Sequence, residues 1–510
     1  MSSPRSKHRT RILATLGPAC WDEDSIEKMV LAGATAFRLN FSHGSHEDHA
    51  LSVRRVRDVA ERLGVAIALL QDLQGPKIRT GPLLDGDPML LRVGEAIRVT
   101  HQATHTGQGV IATTYEHLVT DVKVGDSVRL DDGLLELRCI EQMPGEIICE
   151  VLCGGLLRAN KGINLPGVNV STPSLTKKDR TDLAFGLEQK VDYVALSFVR
   201  SAGDVVELQE LITSLGHSVG VIAKIEKPEA VFDIKNILEV ADGIMVARGD
   251  LGVEVPSERL PVLQKEIIAA ARQRGRVVIT ATQMLESMTE NPRPTRAETS
   301  DVANAILDGT DAVMLSGETA TGKHPIEAVA TMARIAGHTE GSELYRQVMG
   351  VMRLDPGGDI ADATVHAAST AARELSAGAL IAFSSSGRTC FKVSFSRPPT
   401  RIIGSTFSAR IFQRLALCWG VEPVLLKEAS NIEELYFFGE RHILEHKLID
   451  AGELTVVITG SNVGGGGTNS IKIHRVGTID MTDDPEVAAR FRRLYKRLGI
   501  PAEVTTPGPK

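Results

Sequence analysis

Three charged residues fall where charge is costly. The stretch Val221–Glu229 reads V-I-A-K-I-E-K-P-E, and Gly243–Glu254 reads G-I-M-V-A-R-G-D-L-G-V-E. Each is a short apolar run that ends in charge. In a strand successive side chains alternate faces, so Lys224 and Glu226 point the same way at one end of an apolar run. Such groups are buried only when paired or bound to a metal. Asp250 ends the second run, just after Gly249, where backbone can approach a ligand closely. One cation and two carboxylates at the ends of neighbouring parallel strands suit an anionic substrate gripped through Mg²⁺, a hard ion that prefers oxygen ligands. The competing reading is a buried ion pair that holds two strands in register.

The elements that must position these residues recur along the chain. Apolar runs at Ile12–Pro18, Ala36–Ser42, Ala66–Leu73, Tyr193–Val199, Val221–Glu226, Gly243–Asp250, Val277–Gln283 and Ala312–Glu318 alternate with amphipathic stretches. Those stretches include Ser25–Ala32, His46–Leu63, Lys178–Gln189, Ala202–Leu215, Glu258–Arg274 and Ser300–Leu307. Alternating β and α elements imply a parallel sheet, and eight units predict a closed (β/α)₈ TIM barrel with its site at the carboxyl ends of the strands. Arg38, Asn40, Ser42, Asp72, Lys224, Glu226, Asp250, Thr282, Gln283, Ser316 and Glu318 would then converge. An open doubly wound sheet is the competing arrangement.

Between the third and fourth runs, from about Pro82 to Ala159, short alternating strands and turn signals predict a small β-barrel hung on a barrel loop, placed to act as a lid. Pro82 and Leu165–Pro166–Gly167 read as its hinges, and the tip Asp131–Asp132–Gly133 could reach the site. The expected division is 1–81 and 159–340 for the catalytic barrel, 82–158 for the inserted lid, 355–478 for a C-terminal α/β domain and 479–510 for a tail. Leu354–Gly358 reads as a linker. The C-terminal domain shows a helix at Ala363–Leu375 and strands at Leu380–Phe383, Ile402–Ser405, Val421–Leu425 and Leu454–Thr459. Two turns rich in small polar residues, Ser384–Thr389 and Gly460–Asn469, follow strands, and such turns can cradle a phosphate. The tail carries one charged helix, Glu486–Leu498.

Composition narrows the partners. At 510 residues the chain needs more than one core. A net charge of −7 argues against nucleic acid or an anionic membrane as main partner, so phosphate chemistry must use local positive charge. No apolar run reaches membrane-spanning length. Cys20, Cys139, Cys149, Cys153, Cys390 and Cys418 form no C-x-x-C pair and show no zinc or disulfide spacing, which fits a reducing cytoplasm.

The motifs together carry a resemblance. A-K-I-E-K (Ala223–Lys227), M-V-A-R-G-D-L-G-V-E (Met245–Glu254), A-T-Q-M-L-E-S-M (Ala281–Met288), P-R-P-T-R-A-E-T-S-D-V-A-N-A (Pro292–Ala305) and M-L-S-G-E-T-A (Met314–Ala320) resemble the pyruvate kinase family. R-L-N-F-S-H-G (Arg38–Gly44), G-P-K-I-R-T-G (Gly75–Gly81) and K-G-I-N-L-P-G (Lys161–Gly167) fit as well, in family order. The resemblance implies phosphoryl transfer from phosphoenolpyruvate to ADP in glycolysis, giving pyruvate and ATP with Mg²⁺, or Mn²⁺ in its place. It further implies that Glu226 and Asp250 hold the metal, that Lys224 stabilises charge on the moving phosphoryl group and that Arg38 clamps it. Gly249, Asp250 and Thr282 would hold the substrate carboxylate. Arg79 and Lys161, with Asn40 and His43, would line the nucleotide side. Thr282 and Ser316 would relay a proton to carbon, with plain strand-end hydrogen bonding as the competing role for both.

One departure matters. Many family members read D-T-K-G-P-E-I-R, whose Thr joins Asn, Ser and Asp around K⁺. Here Asp72–Arg79 reads D-L-Q-G-P-K-I-R. Leu73 has no side-chain oxygen, and Lys77 puts an ammonium where a carboxylate would stand. The expectation is an enzyme that does not require K⁺, in which Asn40, Ser42 and Asp72 serve the Lys77 amine; the competing reading is a solvated Lys77 beside a bound K⁺. The resemblance also implies a homotetramer, and a phosphorylated small-molecule effector held by Ser384, Ser386, Gly387, Arg388 and Thr389. A six-carbon bisphosphate, a monophosphate sugar or AMP would all suit. Two other functions compete: a lyase or aldolase working through an Mg²⁺-bound enolate, which gives Arg79, Lys161 and the lid no role, and a catalytically silent metabolite sensor, which has no need of Lys224 or the carboxylates.

Overall fold

The computed structural model describes residues 8–351, 358–460, 467–478, 482 and 484–500. Eight strands form the barrel: β1 (Arg11–Thr15), β2 (Ala36–Asn40), β3 (Ala68–Asp72), β4 (Tyr193–Leu196), β5 (Gly220–Ile225), β6 (Gly243–Ala247), β7 (Val277–Ala281) and β8 (Ala312–Leu315). All pairings are parallel and sequential neighbours pair all the way round, with β1 bonded to both β2 and β8. That closure excludes the open sheet. Alternation explains it. Leu13, Leu70, Tyr193, Ile222, Met245, Ile279 and Met314 fill the interior, while Ile12, Leu69, Val221 and Val278 join the shell of helices.

The strands are shorter than the apolar runs, because the last residues of each run leave the sheet. Glu226 lies one residue past β5, and Gly249 and Asp250 sit in the helix Arg248–Glu254 rather than on a strand. Glu318 sits in the short helix Gly317–Ala320. The outer helices are fixed by capping boxes: Ser45 with Asp48, Thr176 with Asp179, Thr295 with Glu298. The Thr295 box starts its helix at Arg296, a full turn before the expected Ser300.

The insertion is mostly β, with one helical turn at Leu118–Asp121 and a shorter one at Leu84–Gly86, but its ladder does not close. Instead of a small barrel it forms a six-stranded sheet with a two-stranded sheet beside it. Its apolar core includes Ile163, Leu165, Val168 and Val170, so the return segment packs as part of the lid. The lid docks on the helix Arg248–Glu254. Arg129 donates to the Val253 carbonyl at 2.5 Å, and Asn164 Nδ2 donates to Glu254 Oε1 at 3.2 Å.

The C-terminal unit is a five-stranded sheet built from β9 (Ala379–Phe383), β10 (Arg401–Thr406), β11 (Val421–Leu425), β12 (Leu454–Gly460) and β13 (Thr468–Arg475), in the order β11-β10-β9-β12-β13. The edge strand β13 runs antiparallel to β12 and was not anticipated, since its exposed Asn469, Ile471 and Ile473 give no buried run. The helix Pro485–Leu498 packs Phe491, Leu494 and Tyr495 onto this unit. The expected linker, apart from Gly358, and Ser461–Gly466 of the second small-residue turn lie outside the described residues.

Candidate active site

At the carboxyl rim of the barrel, Arg38, Ser42, Asp72, Lys77, Lys224, Glu226, Asp250 and Thr282 line one small pocket with Ser197 and Phe198. Its centre is the Lys224 amine. Nζ lies 2.8 Å from Glu226 Oε1, 3.3 Å from Asp72 Oδ1 and 2.7 Å from Ser197 Oγ. Burial works against this charge, but Asp72 and Glu226 together outweigh it and raise the lysine pKa, so the amine stays protonated. The second oxygen of Asp72 accepts from Arg38, 2.7 Å from Nε and 2.6 Å from NH2. Burial pushes the other way, yet Lys224 and Arg38 hold the Asp72 pKa down.

Glu226 Oε2 accepts the Phe198 N–H at 2.7 Å. Oε1 faces the Lys224 amine as an ion pair but takes no aligned hydrogen bond. Burial, with Asp250 nearby, raises the Glu226 pKa. Asp250 has no hydrogen-bond or ion-pair partner among the described residues and is only half-buried. Two convergent carboxylates with unused lone pairs, one of them fully buried, fit a divalent cation. Among the described residues no group of three or more His, Cys, Asp or Glu could hold an ion alone. Substrate and water oxygens would therefore complete the shell.

Thr282 is held in a left-handed backbone conformation, with Gln283 after it. Its hydroxyl donates to the Ala281 carbonyl at 2.6 Å and accepts the Gly249 N–H at 2.8 Å. Two of the three groups expected to hold the substrate carboxylate, the Gly249 N–H and the Thr282 hydroxyl, are thus engaged with each other. Arg248 clamps the same turn, donating to Thr282 O at 2.6 Å while paired with Asp301 at 2.7 Å. The Ser316 hydroxyl is buried and has no partner among the described residues. Glu318, counted among the converging tips, instead accepts the backbone N–H groups of Ser316 and Leu285, at 2.6 and 3.1 Å. It holds the loop together.

Lys77 shares the pocket with Ser42 and Asp72, but the expected grip on its amine is not made in this state. Asp72 is committed to Arg38 and Lys224, and the Asn40 side chain accepts the Ser42 N–H at 3.2 Å. Lys77 itself has no hydrogen-bond or ion-pair partner among the described residues; burial and the nearby Lys224 lower its pKa. The His43 pKa is lowered too, by burial and by Lys77, Arg79 and Arg38. On the lid side, Lys161 pairs with Asp131 at 2.8 Å, and Arg79 donates to Asn160 O at 3.1 Å. The acidic tip therefore meets the cation expected to bind nucleotide.

Ser197 and Phe198 are the residues that sequence reasoning missed. Ser197 Oγ donates its one proton to Leu73 O at 2.7 Å, so toward Lys224 it can only accept. The signal was a Ser-Phe at the tip of the Tyr193–Val199 run, the position where other runs carried their polar residues.

Comparison with known proteins decides the family. A family description "Pyruvate kinase, barrel domain" matches residues 7–329, and "Pyruvate kinase, alpha/beta domain" matches 362–474. The chain belongs to the pyruvate kinase family. It is 45% identical to "Pyruvate kinase 2" of Synechocystis sp. over 475 residues, 92% of this chain and 80% of that one. It is 42% identical to "Pyruvate kinase" of Geobacillus stearothermophilus over 479 residues, 93% of this chain and 81% of that one. A crystal structure of a pyruvate kinase from Cryptosporidium parvum superposes with a TM-score of 0.87 at 34% identity, covering 92% of this chain and 96% of that one. No helix among the described residues is long and apolar enough to cross a membrane.

Ser384, Ser385, Ser386, Arg388 and Thr389 of the C-terminal unit line a cleft of about 1460 Å³ that the barrel residues Tyr193, Asp242 and Gln273–Val277 also line. Gly387, in the left-handed conformation, caps the helix Arg388–Phe395. Thr389 is buried and its hydroxyl meets that of Thr468 at 2.7 Å, which ties the loop to β13.

Proposed function

We propose that this pyruvate kinase transfers the phosphoryl group of phosphoenolpyruvate to ADP through the Lys224 pocket. The observation that carries this is a protonated, buried amine held between Asp72 and Glu226, with Arg38 and an unpartnered Asp250 beside it. Phosphoryl transfer asks a protein chiefly for positioning and charge neutralisation. Arg38 and Lys224 supply two fixed positive charges for the phosphoryl oxygens, and Lys224 also faces the enolate oxygen that forms when the bond breaks. Glu226 and Asp250 would hold Mg²⁺ or Mn²⁺, which would supply positive charge to offset the anionic oxygens of the substrate. Arg79 and Lys161, with Asn40 and His43, receive the nucleotide phosphates; Lys161 exchanges Asp131 for them. Gly249, Asp250 and Thr282 hold the substrate carboxylate once the Thr282 hydroxyl turns away from Ala281. The buried, unpartnered Ser316 hydroxyl is the better end of the proton relay to carbon, since the Thr282 proton is already engaged.

Lys77 stands in for K⁺. Its amine lies close enough to Asp72 and Asp250 to feel both, and Leu73 offers no oxygen to an ion. The C-terminal cleft takes a phosphorylated small-molecule effector through Ser384, Ser386, Gly387, Arg388 and Thr389, and the enzyme works as a cytoplasmic homotetramer. A coupled pyruvate assay with both substrates, run with and without K⁺ and with a chelator, tests the reading. Turnover that is chelator-sensitive and indifferent to K⁺ is expected. A large K⁺ requirement would overturn the role of Lys77, and no ADP-dependent pyruvate would overturn the site.

A further inference from the structure

We propose that Cys139 and Cys149, opposed inside the lid, are a reversible disulfide modification site. They are register partners on adjacent antiparallel strands, Leu135–Met143 and Glu146–Cys153. The backbone shows which kind of partners they are. The Cys139 N–H donates to Asp126 O and its carbonyl accepts from Gly125 N, both on the neighbour away from Cys149. On the other strand Val151, two residues from Cys149 and thus facing the same way, bonds Glu95 and Gly94 on its far side. Cys139 and Cys149 therefore form a non-hydrogen-bonded pair, the type with Cα atoms about 4.5 Å apart and side chains closest. A disulfide spans Cα separations of about 4.4–6.8 Å, so no strand has to move.

Both side chains are buried in the lid's apolar core, and burial raises both thiol pKa values, so the pair is unreactive until it is uncovered. A route for an oxidant exists nonetheless. Cys139 is the last buried residue of its strand: Ile140–Met143 are exposed, and the register slips between Cys139 and Glu141. Fraying of that hairpin tip uncovers the pair without unfolding the lid. The co-reactant is a small hydroperoxide. The Cys139 sulfur attacks the outer peroxide oxygen, giving a sulfenic acid and an alcohol. Cys149 sulfur then attacks the sulfenic sulfur, forming the S–S bond and releasing water. Two thiols lose two protons and two electrons, and the hydroperoxide takes up both. The register partner of the exposed Cys153 is Glu136, so that thiol has no cysteine opposite it.

The test uses the full-length, fully reduced Cys153→Ala protein, which keeps five of the six thiols. It is treated with tert-butyl hydroperoxide under folding conditions, denatured, and assayed by thiol titration and peptide mass spectrometry. The expected result is a fall from five thiols to three, with one peptide pair joined through 139 and 149, 2 Da lighter than the sum of its parts and separated again by dithiothreitol. The same treatment of a Cys149→Ala, Cys153→Ala protein should yield no linked pair. Five thiols remaining, or oxidation of Cys139 or Cys149 to sulfenic or sulfinic acid without a link, would overturn the proposal.

Discussion

The barrel rim and the C-terminal cleft both face anionic chemistry, yet they are built in opposite ways. The rim encloses about 70 Å³, and four of its charges are engaged with one another before any substrate arrives: Arg38 with Asp72, Asp72 with Lys224, Lys224 with Glu226, which leaves Lys77 and Asp250 without a partner among the described residues. The cleft is some twenty times larger, at about 1460 Å³, and the Arg388 side chain has no partner there among the described residues. A reacting phosphoryl group needs fixed charge that costs no reorganisation as charge develops, and a closed, mutually held set provides it. A ligand that is only bound needs exposed donors and room to settle. Rim substitutions should therefore act on turnover, and cleft substitutions on the response to a ligand.

The largest effect is expected at Lys224. Lys224→Met should lower kcat by about 10³-fold or more, because transition-state charge is left unpaired, while the melting temperature changes little. Near-normal turnover would show that the rim's central amine is structural. Lys77 comes next. If its ammonium replaces an ion, rate falls as pH rises and the amine loses its proton. Because its pKa is lowered by burial and by Lys224, that fall sets in below the ordinary lysine value of about 10.4. Lys77→Arg should push it to higher pH, whereas Leu73→Thr, Lys77→Glu should make activity respond to added K⁺. A double variant indifferent to K⁺ would separate Lys77 from the site.

A smaller loss is expected at Ser197. Removing its lone-pair contact in Ser197→Ala should lower kcat by about tenfold, on the scale of one hydrogen bond to a charged group. KM for phosphoenolpyruvate should hardly change, and Ser197→Thr should restore the rate. A rise in KM at constant kcat would mark a binding role instead. The mildest effect belongs to the cleft: Arg388→Ala should keep basal turnover and lose the response to a panel of sugar phosphates and AMP. Lost basal activity there would erase the contrast between the two regions.

The sequence disclosed the barrel because its period is regular: eight apolar runs with polar tips leave little choice of closure. It disclosed Lys224, Glu226 and Asp250 because charge at the end of an apolar run is conspicuous. It could not disclose Ser197, since a serine carries no cost that marks it. Nor could it tell that Asp72 would be taken by Arg38 and Lys224 before Lys77, a competition decided by distance alone. The open lid sheet and the edge strand β13 escaped for a related reason: half-exposed strands have weak alternation, and ladder closure depends on partners far away in sequence. Cys139 and Cys149, nine residues apart by count of those between them, look unrelated until a hairpin register sets them face to face.

The central claim is that Glu226 and Asp250 together hold the divalent ion beside Lys224. Electron paramagnetic resonance titration of Mn²⁺ into the protein with phosphoenolpyruvate tests it most directly. One tight Mn²⁺ per chain is predicted, lost in both Glu226→Gln and Asp250→Asn with the fold intact. Unchanged Mn²⁺ binding in either variant would contradict it.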